Sequence, residues 1–170
     1  GKEAIAGPLR IGSSVSFGRL HIAARLSDFL QQYPDVQVDL QLNDHLQDMV
    51  SEGLDVTLRI GELRDSGLIA RQIGTTHRVT LASPDYLARH PAPQTPHELS
   101  QHNCLLFNLL SSQNQWVYEK EGTRQSVRIT GNAQSNNSEA VREMVLTGLG
   151  IALSPLWLFY DDLKAGRVVA

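Results

Sequence analysis

Between Pro8 and Ile60 the apolar residues switch back and forth between two spacings, and that alternation limits the chain to very few folds. "PLRI" (8–11) is a short apolar run. "FGRLHIAARLSDFLQQYP" (17–34) follows with Ile22, Leu26, Phe29, Leu30 and Tyr33 three or four apart, and Pro34 stops the pattern. Spacing of that kind lines one face of a helix. "VQVDLQL" (36–42) alternates as a half-buried strand does. Asp44 then opens a short helix, with Gln47 as its capping-box partner and Gly53 as its stop. "VTLRI" (56–60) reads as the next strand. Strands separated by helices and short links lie parallel, because parallel neighbours need a crossover longer than a turn. The class is α/β.

The same grammar continues less regularly. "IARQI" (69–73) and "RVTLA" (78–82) read as strands on either side of Gly74-Thr75-Thr76. Ser83-Pro84 and Thr95-Pro96 are helix starts, each a cap residue followed by a proline, and Glu98 completes a capping box with Thr95. "CLLF" (104–107) reads as a buried strand, and 115–129 as a hairpin turning near Gly122. Val141, Met144 and Val145 mark a helix over 139–146, and "GIALSP" (150–155) is a strand that leads into a helix ended by Gly166. The chain divides into lobes at about 7–74 and 75–170.

Composition removes several classes of function. A 170-residue chain with 41% apolar and 19% charged residues can build a real core. No apolar run approaches the ~18 residues of a membrane span, and the N-terminus lacks a signal-peptide layout. The single cysteine, Cys104, precludes an internal disulfide and fits a reducing, cytoplasmic setting. Its neighbours in "NCLLF" make it a buried, inert thiol. A formal net charge of −3 leaves no electrostatic footprint for nucleic acid.

Chemistry in an open α/β sheet gathers beyond the carboxyl ends of strands, against helix N-termini. Those places are polar here: Ser13-Ser14-Val15-Ser16, Asn43-Asp44, Arg59-Ile60-Gly61-Glu62, and Ser135-Asn136-Asn137-Ser138. Unpaired N–H groups and hydroxyls at such points suit a carboxylate or another small anion. Any one of them is ordinarily only a helix cap. Their recurrence on successive strands favours a pocket. Catalytic patterns are weak. "GSSVSFG" is not a nucleophile elbow, and the six histidines (21, 45, 77, 90, 97, 102) have no zinc-site spacing. They read mostly as solvated, and Asp161-Asp162 reads as the polar face of a partly exposed helix.

"GPLRIGSSVSFGRLHIA", "FLQQYPDVQVDLQLND", "GLDVTLRIGELRDSGLIARQIG", "ASPDYLARHPAPQTPHEL", "NNSEAVREMVLTGLGIALSP" and "DDLKAGRVV" occur in this order. Together they resemble the effector-binding domain of a LysR-type transcriptional regulator, over nearly the whole chain. The resemblance implies two Rossmann-like lobes like those of type 2 periplasmic binding proteins, with a small-molecule effector in the cleft between them. It also implies that residues 1–6 are the tail of a linker or a cloning remnant. A winged helix-turn-helix would precede them and supply all DNA contact. Family members usually continue past a "GRVV" strand and return a final segment to the first lobe, whereas this chain stops at Ala170. Regulatory domains of the family pair as homodimers, here through the 17–33 and 138–148 helices, with tetramers open to the full-length protein. No metal, cofactor or membrane contact is implied.

Carried over position by position, the resemblance places effector contacts at Ser13, Ser14 and Ser16 after the first strand, and at Asn43 and Asp44 after the second. Arg59 and Gly61 follow at the third, Asn136 and Asn137 at the helix start of the second lobe, and Pro155 near the hinge. The expected effector is an organic anion. The competing readings are a transporter's solute-binding protein and an enzyme on the same fold. The first needs a secretion signal and the second an oriented partner for Ser14, and neither can be read here. The ordered phrases favour the regulator.

Overall fold

β1 (Ala6–Ser13) carries the first half of the chain, because it is the only strand there with a neighbour on each side among the described residues. The computed structural model describes residues 5–45, 53–61, 69–109 and 114–170. They form two compact units, Gly1–Gln72 and Ile73–Ala170. In the first unit β1 pairs in parallel with β2 (Asp35–Leu42) over eight positions, Ala6 opposite Asp35 through Ser13 opposite Leu42. On its other side β1 meets β3 (Val56–Thr57), also in parallel, with Ile11 opposite Val56. The order β2-β1-β3 is the parallel sheet expected of strands joined by a helical crossover.

One continuous helical stretch joins β1 to β2: α1 (Val15–Phe17), a π-helical segment (Gly18–Ala23) and α2 (Ala24–Gln32). It begins two residues before the expected start. Its half-buried face includes Ile22, Leu26, Phe29 and Leu30, the stripe read from their spacing. Gly18 permits the close approach of this helix to the sheet, since a Cβ there would collide with the Leu42 side chain.

Two expected strands of the first half shrink or vanish. The strand expected over 56–60 is reduced to Val56–Thr57, and the Leu58 N–H still reaches the Gly12 carbonyl at 2.9 Å. A strand with a neighbour on one side only has little to extend its ladder. Residues 69–73 are not a strand: Ile69 is fully exposed at 102% and Ile73 is exposed too. Apolar β-formers alone do not make a strand without a ladder or a buried face. The short helix expected from Asp44 through Gln47 falls on 46–52, outside the described residues, as does Glu62.

The second unit holds the main core. Ala82, Tyr86, Leu99, Cys104, Leu106, Trp116, Val127, Ile129 and Ile151 form one buried cluster. β4 (Arg78–Leu81) runs antiparallel to β9 (Ala152–Pro155), and Ala82 bridges to Val169 just beyond them. β5 (Leu106–Phe107) pairs in parallel with β8 (Gln134–Ser135). β6 (Gln115–Lys120) and β7 (Thr123–Arg128) make the expected hairpin, turning at Glu121 and Gly122. Both turn residues have positive φ, 52° and 79°, as a two-residue hairpin turn requires.

Ser83 and Asn137 cap their helices as expected, whereas Thr95 does not. The Ser83 hydroxyl accepts the Tyr86 N–H at the start of α3 (Pro84–Arg89). The element after Thr95-Pro96 is a 3₁₀ helix (Pro96–Gln101), and the expected Thr95–Glu98 capping box does not form, because Glu98 reaches one residue past the cap. Glu98 accepts the Gln94 N–H at 2.7 Å, while the Thr95 side chain makes no cap bond. α4 (Ser138–Leu146) precedes β9, and a 3₁₀ turn (Leu156–Phe159) leads into α5 (Tyr160–Lys164). Asp161 and Asp162 do not share the expected exposed polar face. Asp161 is exposed, but Asp162 is only 1% exposed and forms the centre of a three-residue ion cluster. Arg142 reaches it through Nε and Nη2, both at 2.9 Å, and Arg167 through Nε at 2.8 Å. A carboxylate with that many donors is stable inside a fold, and helical spacing carries no sign of donors from distant segments.

Candidate functional site

The first candidate site is the junction of β1 with α1, where a strand end meets exposed N–H groups of a helix. Ser14 holds the N-cap position with extended backbone, φ −61° and ψ 156°, yet its side chain makes no cap hydrogen bond. The cap comes from a different strand. Asp44, just after β2, accepts the Val15 N–H through Oδ1 at 2.9 Å. A negative carboxylate there also complements the positive end of the helix dipole. The loop carrying Asp44 is itself fixed, because the Asn43 N–H donates to the Ser13 carbonyl at 2.9 Å and Asn43 Oδ1 accepts the His45 N–H at 2.8 Å.

The three serines differ sharply in setting. Ser13 and Ser16 are each 1% exposed, whereas Ser14 is half-buried. Ser13 Oγ is buried with no hydrogen-bond partner among the described residues. Its Cβ lies beneath Gly18, so the hydroxyl sits under the first helical turns. A buried orphan hydroxyl costs free energy and calls for an explanation such as a water or a ligand group. Arg59 is half-buried beyond the end of β3, and Gly61 is exposed with φ 120°.

The second candidate site belongs to the other unit, at the start of α4. Asn137 is the N-cap, and its Oδ1 accepts from both the Glu139 N–H (2.9 Å) and the Ala140 N–H (3.1 Å). The Ser135 hydroxyl in turn accepts the Asn137 N–H at 3.1 Å. With Oδ1 committed, Asn137 has its amide Nδ2 left to offer a ligand. Asn136 is exposed beside it. Pro155 ends β9 opposite Arg78 and is half-buried. Thus Ser13, Ser14, Ser16, Asn43 and Asp44 gather at one helix start, and Asn136 and Asn137 at another.

Two features escaped the sequence reading. One is Asp44 as the cap of a helix 29 positions upstream. The other is a polar cluster around Tyr86, whose hydroxyl lies 2.7 Å from His102 Nδ1, so His102 is not a solvated histidine. Cys104 fits its expectation: fully buried, its thiol is pushed up to about 12 by desolvation, far from reactive thiolate character. Among the described residues no group of three or more His, Cys, Asp or Glu side chains could hold a metal ion.

Residues 2–170 match the family described as LysR substrate binding domain. The chain belongs to this family. A regulator of Haemophilus influenzae named as an uncharacterized HTH-type transcriptional regulator is 36% identical over 167 residues, covering 98% of this chain and 58% of that protein. The HTH-type transcriptional activator TtdR of Escherichia coli K12 is 34% identical over 164 residues, covering 96% of this chain and 53% of that one. The chain therefore spans little more than half the length of these relatives. The regulatory domain of CrgA, a LysR-type transcriptional regulator from Neisseria meningitidis, superposes with a TM-score of 0.84 at 30% identity, covering 97% of this chain and 80% of its own. The α/β fold is accordingly the type 2 periplasmic-binding-protein-like fold of LysR regulatory domains, and the chain is a LysR-type effector-binding domain. No helix among the described residues is long and apolar enough to cross a membrane.

Proposed function

We propose that this domain senses a small organic effector for a cytoplasmic, homodimeric, DNA-binding regulator and performs no catalysis of its own. The family match over residues 2–170 carries the reading, and the relatives, all transcriptional regulators by name, support it. DNA contact belongs to a helix-turn-helix region outside this chain, which the greater length of the relatives leaves room for. Each unit offers its own donors to the effector. In the first unit these are the Ser14 hydroxyl, unused as a cap, and the orphan Ser13 hydroxyl, with Ser16, Asn43 and Asp44 at the same helix start and Arg59 and Gly61 beyond the end of β3. In the second they are the amides of Asn136 and Asn137, with Pro155 in support.

The experiment is a thermal-shift screen of organic acids, followed by calorimetry of the best hit on Ser14→Ala and Asn137→Ala. Losing one ligand hydrogen bond weakens binding by about 0.5–1.5 kcal/mol, or roughly 1.5–3 when the acceptor is charged. Parent-like affinity in both variants would show that the donors are misassigned.

A further inference from the structure

Outside the effector positions, the second unit builds a hydrogen-bonded tyrosine–histidine pair into the edge of its core. Tyr86, from α3, is 2% exposed, and its hydroxyl oxygen is 2.7 Å from His102 Nδ1. His90 stacks on the Tyr86 ring at 4.7 Å, and the His102 ring tilts against it at 5.8 Å. The next residue, Asn103, is a structural corner. Its Nδ2 donates to Asn132 Oδ1 and to the Leu149 carbonyl, and its Oδ1 accepts the Asn132 N–H. Its backbone carbonyl accepts the Ile151 N–H at 2.9 Å. Gly150 leaves no room for a Cβ against that carbonyl, so the corner cannot shift without moving the start of β9.

We propose that the Tyr86–His102 pair is a proton-operated latch that holds the Asn103 corner closed while His102 is neutral and loosens it when His102 takes up a proton. In the tautomer that leaves Nδ1 bare, the neutral imidazole accepts the Tyr86 O–H there. The imidazolium is a donor at both nitrogens, so the tyrosine proton must turn away from it, on a residue only 2% exposed. The groups facing the pair come from every neighbouring segment. Arg89 and Cys104 act on Tyr86, as does the Asn103 N–H; His90, Glu98 and the Pro91 carbonyl act on His102. Burial first, and the nearby His90 second, hold His102 below its usual range, against the opposing pull of Glu98 and the Pro91 carbonyl. A histidine held low in the fold binds protons more readily when released. The latch is therefore fully closed above the ordinary histidine range and loses strength as pH falls through it. Asn132 leads into the Asn136–Asn137 segment, so acid would reach the effector donors; that last link rests on the function proposed above, and the latch does not.

The test is amide hydrogen exchange of the 170-residue chain at about pH 7.5 and about pH 5.5, corrected for intrinsic rates and read at Asn132 and Ile151. These amides should lose protection several-fold at the acid pH relative to Val127 in the hairpin. His102→Asn keeps an acceptor facing Tyr86 but cannot take up a proton, and its protection should stay level. In Tyr86→Phe the His102 ring, followed by NMR, should titrate at higher pH than in the parent. Equal protection of the parent at both pH values overturns the latch. So does an acid loss in His102→Asn as large as the parent's, or an unmoved His102 midpoint in Tyr86→Phe.

Discussion

Asp162 shows how much one residue can hold at a point where the sequence suggests only a polar surface. Burial alone would raise its carboxyl, but hydrogen bonds and charge from Arg142 and Arg167 outweigh that and hold it below the usual carboxylate value. Since the folded form binds protons less readily than the unfolded chain, this stability is present at neutral pH and is lost as pH falls below the ordinary aspartate range. Asp162→Ala takes the shared carboxylate from two guanidinium groups, leaving Arg142, largely covered, with only the exposed Glu143, and Arg167 half in water. A fully buried pair would cost about 3–5 kcal/mol to break, and the partial exposure of the arginines lowers the expectation to about 1.5–3 kcal/mol. Urea unfolding of the variant checks the size, and a smaller parent–variant difference at acid pH checks the sign. The caps make a second set of expectations. Asn137→Ala and Asp44→Ala should each cost about 1 kcal/mol in thermal melts, while Ser14→Ala should cost only a few tenths. Asn137 was legible as a cap because its acceptor lies two and three residues from the donors. Asp44 was not, because its contact with Val15 exists only once β1 and β2 are paired.

Elements read well where the pattern was local and poorly where a neighbour decided the outcome. The helix after β1, the β6–β7 hairpin and α4 follow from spacing and turn chemistry. β3 and residues 69–73 do not, because a strand exists only as far as its partner does, and no single segment records its partner's length. The hairpin turn gives a sharp test of local chemistry. Glu121 sits at φ 52°, a conformation that asparagine and glycine tolerate better. Glu121→Asn should therefore stabilise by roughly 0.5 kcal/mol, and Gly122→Val should destabilise by at least about 1 kcal/mol, both read from chemical denaturation. Gly131 tests close approach instead of dihedral freedom. A Cβ there would overlap the Cys104 backbone carbonyl, so neither partner can yield by rotating a side chain. Gly131→Ala should lower the melting temperature by several degrees or prevent folding.

At the scale of the whole molecule the fold class and family were legible, because ordered phrases spread over the chain survive local errors such as the missing strand at 69–73. Association is the less local property. α2 has an apolar stripe but no fully buried residue, so its covered face remains partly open within one chain. Light scattering at high micromolar concentration should give the mass of an isologous dimer, and a strictly monomeric mass would count against the pairing. DNA binding separates the regulator reading from its rivals most cleanly. Affinity for a duplex comes chiefly from lysines and arginines that displace counterions, and each phosphate contact steepens the salt dependence. With a net charge of −3, the 170-residue chain should shift no duplex at physiological salt. A longer chain of the relatives' length should bind its operator through a basic recognition helix. Its affinity should fall roughly a thousandfold or more between about 50 and 200 mM salt, for some six or more phosphate contacts. Effector should change that affinity, and Ser14→Ala should blunt the change without altering binding in its absence. If the extended chain binds no DNA, the regulatory role proposed for the whole protein fails.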